Sequence, residues 1–162
     1  MQYIVMILGV FGLDMFMKDK IEEKDMQETG MPEEKQACRG MLLIRKHHNK
    51  GAFLNAGESN QKVVAALSVF LTVFVTLVFI ATLTTKGSGL LKCGLSLLLG
   101  GAYSNTYDRL KRQYVVDYVS FNVPWKGLRQ VVFNIGDFGI MLGALLSVFA
   151  GTNTEDKDNV SM

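Results

Sequence analysis

The stretch VVAALSVFLTVFVTLVFIATL, from Val63 to Leu83, runs for 21 residues without a charged side chain. A helix of this length crosses the roughly 30 Å hydrocarbon layer of a lipid bilayer. The stretch therefore predicts a transmembrane helix and sets the class of the whole chain. The other apolar residues also occur in blocks, and not in the dispersed pattern of a soluble core.

Three further apolar runs predict the other spans: Gln2 to Met17, Leu90 to Tyr107 and Val131 to Ala150. The first run lacks the basic region and the small-residue cleavage site of a secretory signal peptide, so we interpret it as a retained span. The sequence thus predicts a membrane all-α fold with four antiparallel transmembrane helices. We expect one four-span membrane domain over residues 1–151 and a polar C-terminal tail over residues 152–162.

Two segments outside the predicted spans favour β-structure. They are Met41 to His48 and the run YVVDYVSF, Tyr114 to Phe121, and glycines at 51 and 57 mark turns after the first of them. We predict a small sheet that rests on the membrane surface. The charged segment Lys18 to Arg39 is interpreted as an exposed helix or loop beside that sheet.

Composition excludes several classes of function. The net charge of the 162 residues is only +2, and no basic stripe carries interleaved aromatic residues, so a nucleic-acid partner is not expected. The two cysteines, Cys38 and Cys93, lie in unlike surroundings and have no metal-ligand spacing. We predict neither a metal site nor a cofactor.

Two Asn-x-x-Asp units carry the chemistry, one at the end of the third run and one near the start of the fourth. In each unit, Asn105 with Asp108 and Asn134 with Asp137, the amide and the carboxylate are three positions apart (i and i+3), so both share one helix face. A carboxylate inside a span costs at least a few kcal/mol and indicates function. We predict that Asp108 and Asp137 face each other.

Two carboxylates that lie close together share one proton, because both cannot ionise readily. The ionised member can then take a proton from water while the protonated member donates to a carbonyl oxygen, which is the chemistry of amide hydrolysis. Each acid also has a simpler explanation. Asp108 could form an ion pair with Arg109 or Lys111, and Asp14 could form a salt bridge with Lys18 at i to i+4.

A second class of function uses the same acids differently. A small four-span transporter could carry protons or cations through Asp108 and Asp137. Such a protein would be expected to show related halves, whereas the first two runs lack the Asn-x-x-Asp units of the last two. Four antiparallel spans would bring Asp14, Asn49 and both acids to one membrane face, with Asp137 about six residues, or on the order of 9 Å, into its span.

The order of these motifs resembles the bacterial lipoprotein signal peptidases, also called signal peptidase II. Five motifs match: DMFMK, Asp14 to Lys18; NKGA, Asn49 to Ala52; GGAYSNTYDR, Gly100 to Arg109; VVDY, Val115 to Tyr118; and FNIGD, Phe133 to Asp137. The resemblance covers nearly the whole chain. Five motifs in order on four spans are more specific than any single one.

The resemblance implies an aspartic endopeptidase that removes the signal peptide from diacylglyceryl-modified prolipoproteins, cleaving before the lipidated cysteine. It implies Asp108 and Asp137 as the catalytic pair and a supporting or substrate-binding role for seven residues: Asp14, Lys18, Asn49, Gly51, Asn105, Arg109 and Asn134. It also implies contact with membrane lipid and inhibition by globomycin-type compounds. The location it implies is multi-pass in the bacterial inner or cytoplasmic membrane, with the site towards the outer face and the small sheet extracytoplasmic. A catalytically silent, lipoprotein-binding relative is the alternative within the same resemblance.

Some features depart from the family pattern. The family usually has Gly at the positions of Ser104 and Gln113, and Ala at the position of Gly136. Ser104 therefore has to fit the packing of the third span, and Gln113 has to fit the turn after it. Most of the 17 lysines and arginines lie in the first and third loops, so the positive-inside rule would put the proposed site in the cytoplasm, against the motifs.

Overall fold

The computed structural model describes residues 1–25, 35–51, 60–85 and 89–160. Within these residues the chain is mostly helical, with one small antiparallel sheet. The helices are α1 (Gln2–Asp25), α2 (Gln61–Leu83), α3 (Gly89–Lys111), α4 (Lys126–Gln130) and α5 (Ile135–Val160), and the strands are β1 (Lys35–Ala37), β2 (Leu42–Asn49) and β3 (Val115–Phe121).

Helix α3 lies at the centre of the helix bundle and contacts α1, α2 and α5. It buries an unusual number of polar side chains, among them Ser96, Ser104, Asn105, Thr106 and Asp108. Large apolar side chains on α2, such as Phe70, Phe74 and Leu77, are instead exposed. These polar side chains of α3 therefore face protein and these apolar side chains of α2 face outward, as in a bundle surrounded by lipid.

Two helices of the described chain are long and apolar enough to cross a membrane. They are α2, with a mean hydropathy of 2.8 over its best window, and residues Ile135–Thr152 of α5, with 1.6. The charges of α1 and α3, including Asp14, Lys18 and Asp108, lower the hydropathy of those helices. The predicted count of four transmembrane helices stays a prediction.

Glycine residues bring α3 and α5 into close contact. A Cβ added at Gly143 would lie 2.5 Å from the backbone oxygen of Gly94, and one added at Gly101 would lie 2.0 Å from that of Gly136. The close approach continues at Gly139, where an added Cβ would lie 3.0 Å from a backbone oxygen of α3.

The sheet has the strand order β1-β2-β3, with both pairs antiparallel. Both predicted β segments are confirmed as strands. The β2–β3 register pairs Leu42 with Phe121 and His47 with Asp117, and it shifts between Ile44 and His47. This irregularity places two residues of β2 opposite the single residue Tyr118 of β3, which is how a β-bulge locally re-aims side chains.

The segment before α5 is extended, which corrects the predicted start of the fourth span. Phe133 forms a bridge with Val119 of β3, donating to its oxygen at 2.7 Å and accepting from its amide at 2.8 Å. Helix α5 therefore begins at Ile135, and Asp137 lies in its first turn. The apolar run from Val131 did not reveal the start of the helix, because it includes Phe133, which pairs with a strand.

The two polar segments of the sequence are partly helical. Helix α1 continues to Asp25, and the backbone of α5 continues to Val160, through most of the predicted polar tail. Residues 26–34 of the charged segment and residues 161–162 lie outside the described residues.

The turn after α3 accommodates Gln113 in the left-handed region, with φ of 67°. Its backbone amide donates to the oxygen of Asp108 at 3.1 Å, and its side-chain amide donates to the oxygens of Arg109 and Leu110, each at 3.2 Å. These bonds satisfy carbonyl groups at the C-terminus of α3. The backbone adopts a conformation that glycine would reach without strain.

Candidate active site

A cavity of about 320 Å³ opens between the sheet and the ends of α3 and α5. Two carboxylates line it, Asp117 from β3 and Asp137 from the first turn of α5. Its other polar lining residues are His47, Asn49, Asn105, Arg109 and Gln130. Strands β2 and β3, helices α3 and α5 and the loop before α5 all contribute side chains to this one cavity.

Asn134 connects the two carboxylates. Its Nδ2 donates to Oδ1 of Asp117 at 2.7 Å, and its Oδ1 accepts from the backbone amide of Asp137 at 2.8 Å. The carboxylate of Asp137 in turn accepts from the backbone amide of Asn134 at 3.0 Å. Asn134 is fully buried and caps α5 in the reciprocal arrangement of a capping box, so the helix start fixes both acids relative to each other.

Asp137 is further oriented by α3. Nδ2 of Asn105 donates to Oδ1 of Asp137 at 2.8 Å. The predicted Asn-x-x-Asp units therefore work differently from the expectation, because Asn105 binds the carboxylate of α5 and not that of Asp108 in its own unit. Asn134 contacts Asp137 within its unit through backbone and side-chain atoms, as the capping geometry requires.

Asp117 is 2% exposed and accepts hydrogen bonds from two amides. Besides Asn134, Nδ2 of Asn49 donates to its Oδ2 at 3.2 Å. Burial, followed by the negative charge of Asp137, raises the pKa of Asp117 to about 7, while the two amides act in the opposite direction. A carboxyl group with this pKa, beside a second carboxylate, can carry the one proton that the pair shares near neutral pH.

Asp108 has different surroundings from those expected. It is fully buried, and its Oδ2 lies 3.1 Å from Nζ of Lys18 and 3.2 Å from the backbone amide of Val116. Its Oδ1 lies 3.4 Å from Nη1 of Arg112, which makes an ion pair of the kind that the sequence left open, although with other partners than Arg109 or Lys111. The carboxylate that shares the cavity with Asp137 is Asp117.

The predicted salt bridge of α1 is present and buried. Nζ of Lys18 lies 2.8 Å from Oδ2 of Asp14, and both side chains are fully buried. Lys18 also donates to Oδ1 of Asn105 at 2.9 Å, so it lies one hydrogen bond behind the amide that binds Asp137. Asp14 and Lys18 therefore support the cavity from the α1 side and do not line it.

The turn after β2 places three of the predicted residues together. The backbone amide of Gly51 donates to Oδ1 of Asn49 at 3.1 Å, which turns the amide group of Asn49 towards Asp117. Nη2 of Arg109 donates to the backbone oxygen of Gly51 at 3.3 Å. Ala52, the last residue of the predicted motif, lies outside the described residues.

A second cavity, of about 350 Å³, lies between α2, α3 and α5 and reaches the same acid. Its walls include Leu71, Val75, Leu98 and Ala102, and it shares four lining residues with the first cavity: Asn105, Arg109, Asp137 and Ile140. An apolar surface thus continues from the side of the bundle to the carboxylate of Asp137.

Sequence reasoning missed three contributors to the site: Asp117, His47 and Tyr118. Asp117 and Tyr118 appeared only as letters of a motif, although an acid inside the apolar run VVDYVSF was an available signal. His47 lines the cavity because the β2 irregularity puts it opposite Asp117. In the described part of the chain, no group of three or more His, Cys, Asp or Glu residues is arranged to hold a metal ion.

Comparisons with known proteins agree on one family. The model of a family described as "Signal peptidase (SPase) II" matches residues 6–152. Two relatives, each named "Lipoprotein signal peptidase", are a protein of Mesorhizobium japonicum, 30% identical over 91% of this chain and 83% of its own length, and one of Halothermothrix orenii, 28% identical over 91% and 92%.

Solved structures give the same fold. Two structures described as bacterial membrane enzymes superpose with TM-scores of 0.76 and 0.70, each with 21% sequence identity. The first comparison covers 98% of this chain and 90% of the other, and the second covers 92% and 91%. At this level of identity the likeness concerns the fold alone.

Proposed function

The chain belongs to the signal peptidase II family, and we propose that it hydrolyses its substrate with Asp117 and Asp137 as the catalytic acid pair. It is a membrane protease that removes the signal peptide from prolipoproteins. The observation that carries the pair is the arrangement of Asn134, which bonds to Asp117 through its amide and to Asp137 through a reciprocal helix cap.

The pair works by sharing one proton. The ionised carboxylate takes a proton from a water molecule, whose oxygen attacks the carbonyl carbon of the scissile peptide bond. The protonated carboxyl donates its proton to the carbonyl oxygen as the tetrahedral intermediate forms. As that intermediate collapses and the C–N bond breaks, the carboxyl that took the water proton donates it to the leaving amine. The other carboxylate takes a proton from a hydroxyl of the intermediate as the new carbonyl forms, so the pair again holds one proton.

The neighbouring polar groups keep the two acids in place. Asn105 and Asn134 bind Asp137, and Asn49 and Asn134 bind Asp117, so every carboxylate oxygen of the pair has a donor. Arg109 lines both cavities and can also contact a substrate carbonyl group. Preorganised donors of this kind lower the reorganisation needed in the transition state.

Asp108 takes a structural role in this assignment. Its carboxylate neutralises Lys18 and Arg112 at the end of α3 and accepts from the amide of Val116 at the start of β3. It thereby ties the helix to the strand that carries Asp117. We assign the second catalytic position to Asp117 in place of Asp108.

The apolar cavity between α2, α3 and α5 fits the apolar part of the substrate. A prolipoprotein brings a hydrophobic signal segment and, next to the cleaved bond, a diacylglyceryl-modified cysteine. The walls formed by Leu71, Val75 and Leu98 lead to Asp137, so an apolar group lodged there would leave the adjoining peptide bond beside the acids. We propose that the diacylglyceryl group occupies this cavity and that cleavage takes place just before the lipidated cysteine. A globomycin-type inhibitor would occupy the same space.

The membrane arrangement is part of the proposal. We assign α1 and α3 as spans beside α2 and α5, which gives four spans in a bacterial inner or cytoplasmic membrane. Asp137 lies in the first turn of α5 and Asp117 lies on β3 of the sheet, so we place the site at the membrane surface, on the outer side.

The function is tested with purified protein in detergent and a prolipoprotein carrying the diacylglyceryl group. We expect cleavage before the lipidated cysteine, no cleavage of the same precursor without the lipid, and loss of cleavage in Asp137→Asn. Lys126→Ala is the matched control, because Lys126 begins α4 away from the cavity lining. Cleavage by Asp137→Asn at the wild-type rate would reject the proposal.

A further inference from the structure

Two buried hydroxyl groups converge on the carboxylate of Asp14. The Tyr118 hydroxyl donates to Oδ1 of Asp14 at 2.9 Å, and Oγ of Ser104 donates to Oδ2 at 2.6 Å. All three side chains are fully buried. Neither hydroxyl contacts the acid pair. Lys18 and Asn105 lie between these hydroxyls and Asp137.

Tyr118 follows Asp117 directly in β3, so its side chain points to the opposite face of the strand. One residue aims into the cavity and the next into the helix bundle. The Tyr118 hydroxyl also accepts from the backbone amide of Ile135, the first residue of α5, at 3.1 Å. Burial, and next the charge of Asp14, raise the pKa of the Tyr118 phenol, so the hydroxyl keeps its proton and remains a donor.

The carboxylate of Asp14 holds the ammonium group of Lys18. Nζ of Lys18 lies 2.8 Å from Oδ2 of Asp14 and donates to Oγ of Ser104 at 3.0 Å. Because Ser104 accepts from Lys18, its own proton is directed to Asp14. The position of the ammonium group is therefore set by the carboxylate and by the serine together.

Lys18 determines which way the amide of Asn105 faces. Its ammonium can only donate, and it donates to Oδ1 of Asn105 at 2.9 Å. The NH₂ group of Asn105 must then point the other way, where it donates to Oδ1 of Asp137 at 2.8 Å. A carboxylate can only accept, so the donor-only and acceptor-only neighbours fix the amide without ambiguity.

We propose that Tyr118 and Ser104 are positioning residues, whose hydroxyl groups orient Asp137 through Asp14, Lys18 and Asn105. The inference rests on the proposed function, since it concerns how one member of the acid pair is held. Tyr118 adds a second connection, because it binds the first amide of the helix whose first turn carries Asp137.

The space around Asp14 supports a positioning role, because it leaves the carboxylate little freedom. A Cβ added at Gly136 would lie 2.8 Å from Oδ2 of Asp14, the oxygen that Ser104 and Lys18 both contact. Gly136 belongs to the same first turn of α5 as Asp137. A shift of Asp14 would therefore displace both Lys18 and the backbone of Gly136, next to the catalytic carboxylate of Asp137.

The test uses Tyr118→Phe and Ser104→Ala, each of which removes a hydroxyl and keeps most of the side-chain volume. Tyr103→Phe is the matched control, because the Tyr103 hydroxyl bonds to Oγ1 of Thr76 on α2 at 2.8 Å, outside this set of contacts. Steady-state cleavage of the diacylglyceryl prolipoprotein is measured against pH for all variants, and thermal unfolding is measured in parallel.

We expect both variants to lower kcat by about ten-fold, with KM within about two-fold of the wild type. We also expect the acidic limb of the kcat/KM profile to move to higher pH, because the ionised form of Asp137 loses part of its hydrogen bond from Asn105. Tyr103→Phe should show the wild-type kcat and pH profile. A purely structural role would lower the thermal midpoint without moving the limb.

The inference would be overturned if the folded variants kept the wild-type kcat and acidic limb. Should Tyr118→Phe fail to fold, Ser104→Ala decides by the same two criteria, since it removes a single hydroxyl. The proposed function fails separately, and the inference with it, if the wild-type protein does not cleave the substrate. A wild type that cleaves beside unchanged variants rejects the positioning role alone.

Discussion

The carboxyl group of Asp117 sets the pH range over which the acid pair can work. Its pKa of about 7 results first from burial and then from the negative charge of Asp137. The shared proton belongs to the pair and not to one residue, because their titrations are coupled. At a pH well above 7 the pair loses that proton and with it the acid that protonates the carbonyl oxygen.

We therefore predict that kcat/KM falls as the pH rises through about 7, and that it falls again at low pH where both acids are protonated. Replacing Asn49 by Ala removes a donor that favours the ionised form of Asp117, so the alkaline limb should move to higher pH. Initial cleavage rates from about pH 5 to about pH 9 measure both effects. A flat profile, or a limb that moves to lower pH in Asn49→Ala, would contradict this assignment.

Contacts between single residues could be predicted from the sequence where both partners lie within one helical turn. The contact of Asn134 with Asp137 follows from three-residue spacing at a helix start, and the Asp14–Lys18 salt bridge follows from four-residue spacing. The partners of Asn105 and Asp117 depend on which side of each element faces which neighbour. Asn105 binds across to α5 and Asp117 comes from a strand, and neither contact has a signature in local spacing.

At the level of elements, the contact between α3 and α5 determines where Asp137 lies. Backbone atoms of the two helices approach closely at Gly94 and Gly143, and again at Gly101 and Gly136. Side chains at these positions would push the helices apart, because the nearest atoms belong to backbone that cannot turn away. A larger side chain at Gly94 or Gly143 would therefore also affect the position of Asp137, although it lies farther along the helices.

We predict that Gly143→Ala lowers the thermal midpoint of unfolding in detergent, since its Cβ would lie 2.5 Å from the oxygen of Gly94 and the nitrogen of Leu98. Such overpacking costs about 1–3 kcal/mol. Gly9→Ala is the control, because a Cβ there has no described atom within 4 Å and should raise helix stability slightly. Equal or higher stability of Gly143→Ala relative to Gly9→Ala would argue against the close contact.

Elements could be predicted where one pattern dominates. The charge-free run of α2 and the β-prone run of β3 both formed the expected structures. The start of α5 could not be predicted, because Val131 to Phe133 are as apolar as the helix that follows, and only pairing with Val119 reveals them as extended. The short helix α4 was missed for a similar reason, since five residues are too few to show a helical period.

For the whole molecule, the orientation in the membrane is the remaining structural prediction. The motifs place the sheet and the acid pair outside, whereas the distribution of lysine and arginine favours the cytoplasm. Cys38, between β1 and β2, is exposed and lies on the connection of that same sheet. A thiol at this position reports directly on the side that carries the site.

We predict that Cys38 reacts with a membrane-impermeant thiol reagent in intact spheroplasts. Cys38→Ser is the control, because it leaves Cys93 of α3, which is half-buried, as the remaining cysteine of the chain. Reaction that requires permeabilised membranes would place the sheet in the cytoplasm and would support the charge rule. Mass spectrometry of the labelled protein identifies the modified residue.

Three aspartates, Asp108, Asp117 and Asp137, lie near the ends of α3 and α5, and their roles are separable. Asp117 and Asp137 line one cavity and share Asn134, whereas Asp108 binds Lys18 and lies beside Arg112. Removing an acid that reacts with substrate slows the cleavage of bound substrate. Removing an acid that stabilises the bundle lowers the stability of the protein instead. Single-turnover cleavage separates these two effects.

The decisive measurement is the single-turnover cleavage rate of bound diacylglyceryl prolipoprotein by Asp117→Asn beside Asp108→Asn, each corrected for its folded fraction. We predict that Asp117→Asn still binds substrate and cleaves it roughly 10³-fold more slowly, while Asp108→Asn loses thermal stability and stays within about ten-fold of the wild-type rate. Cleavage by Asp117→Asn at near the wild-type rate, with the large loss in Asp108→Asn instead, would contradict the pairing of Asp117 with Asp137.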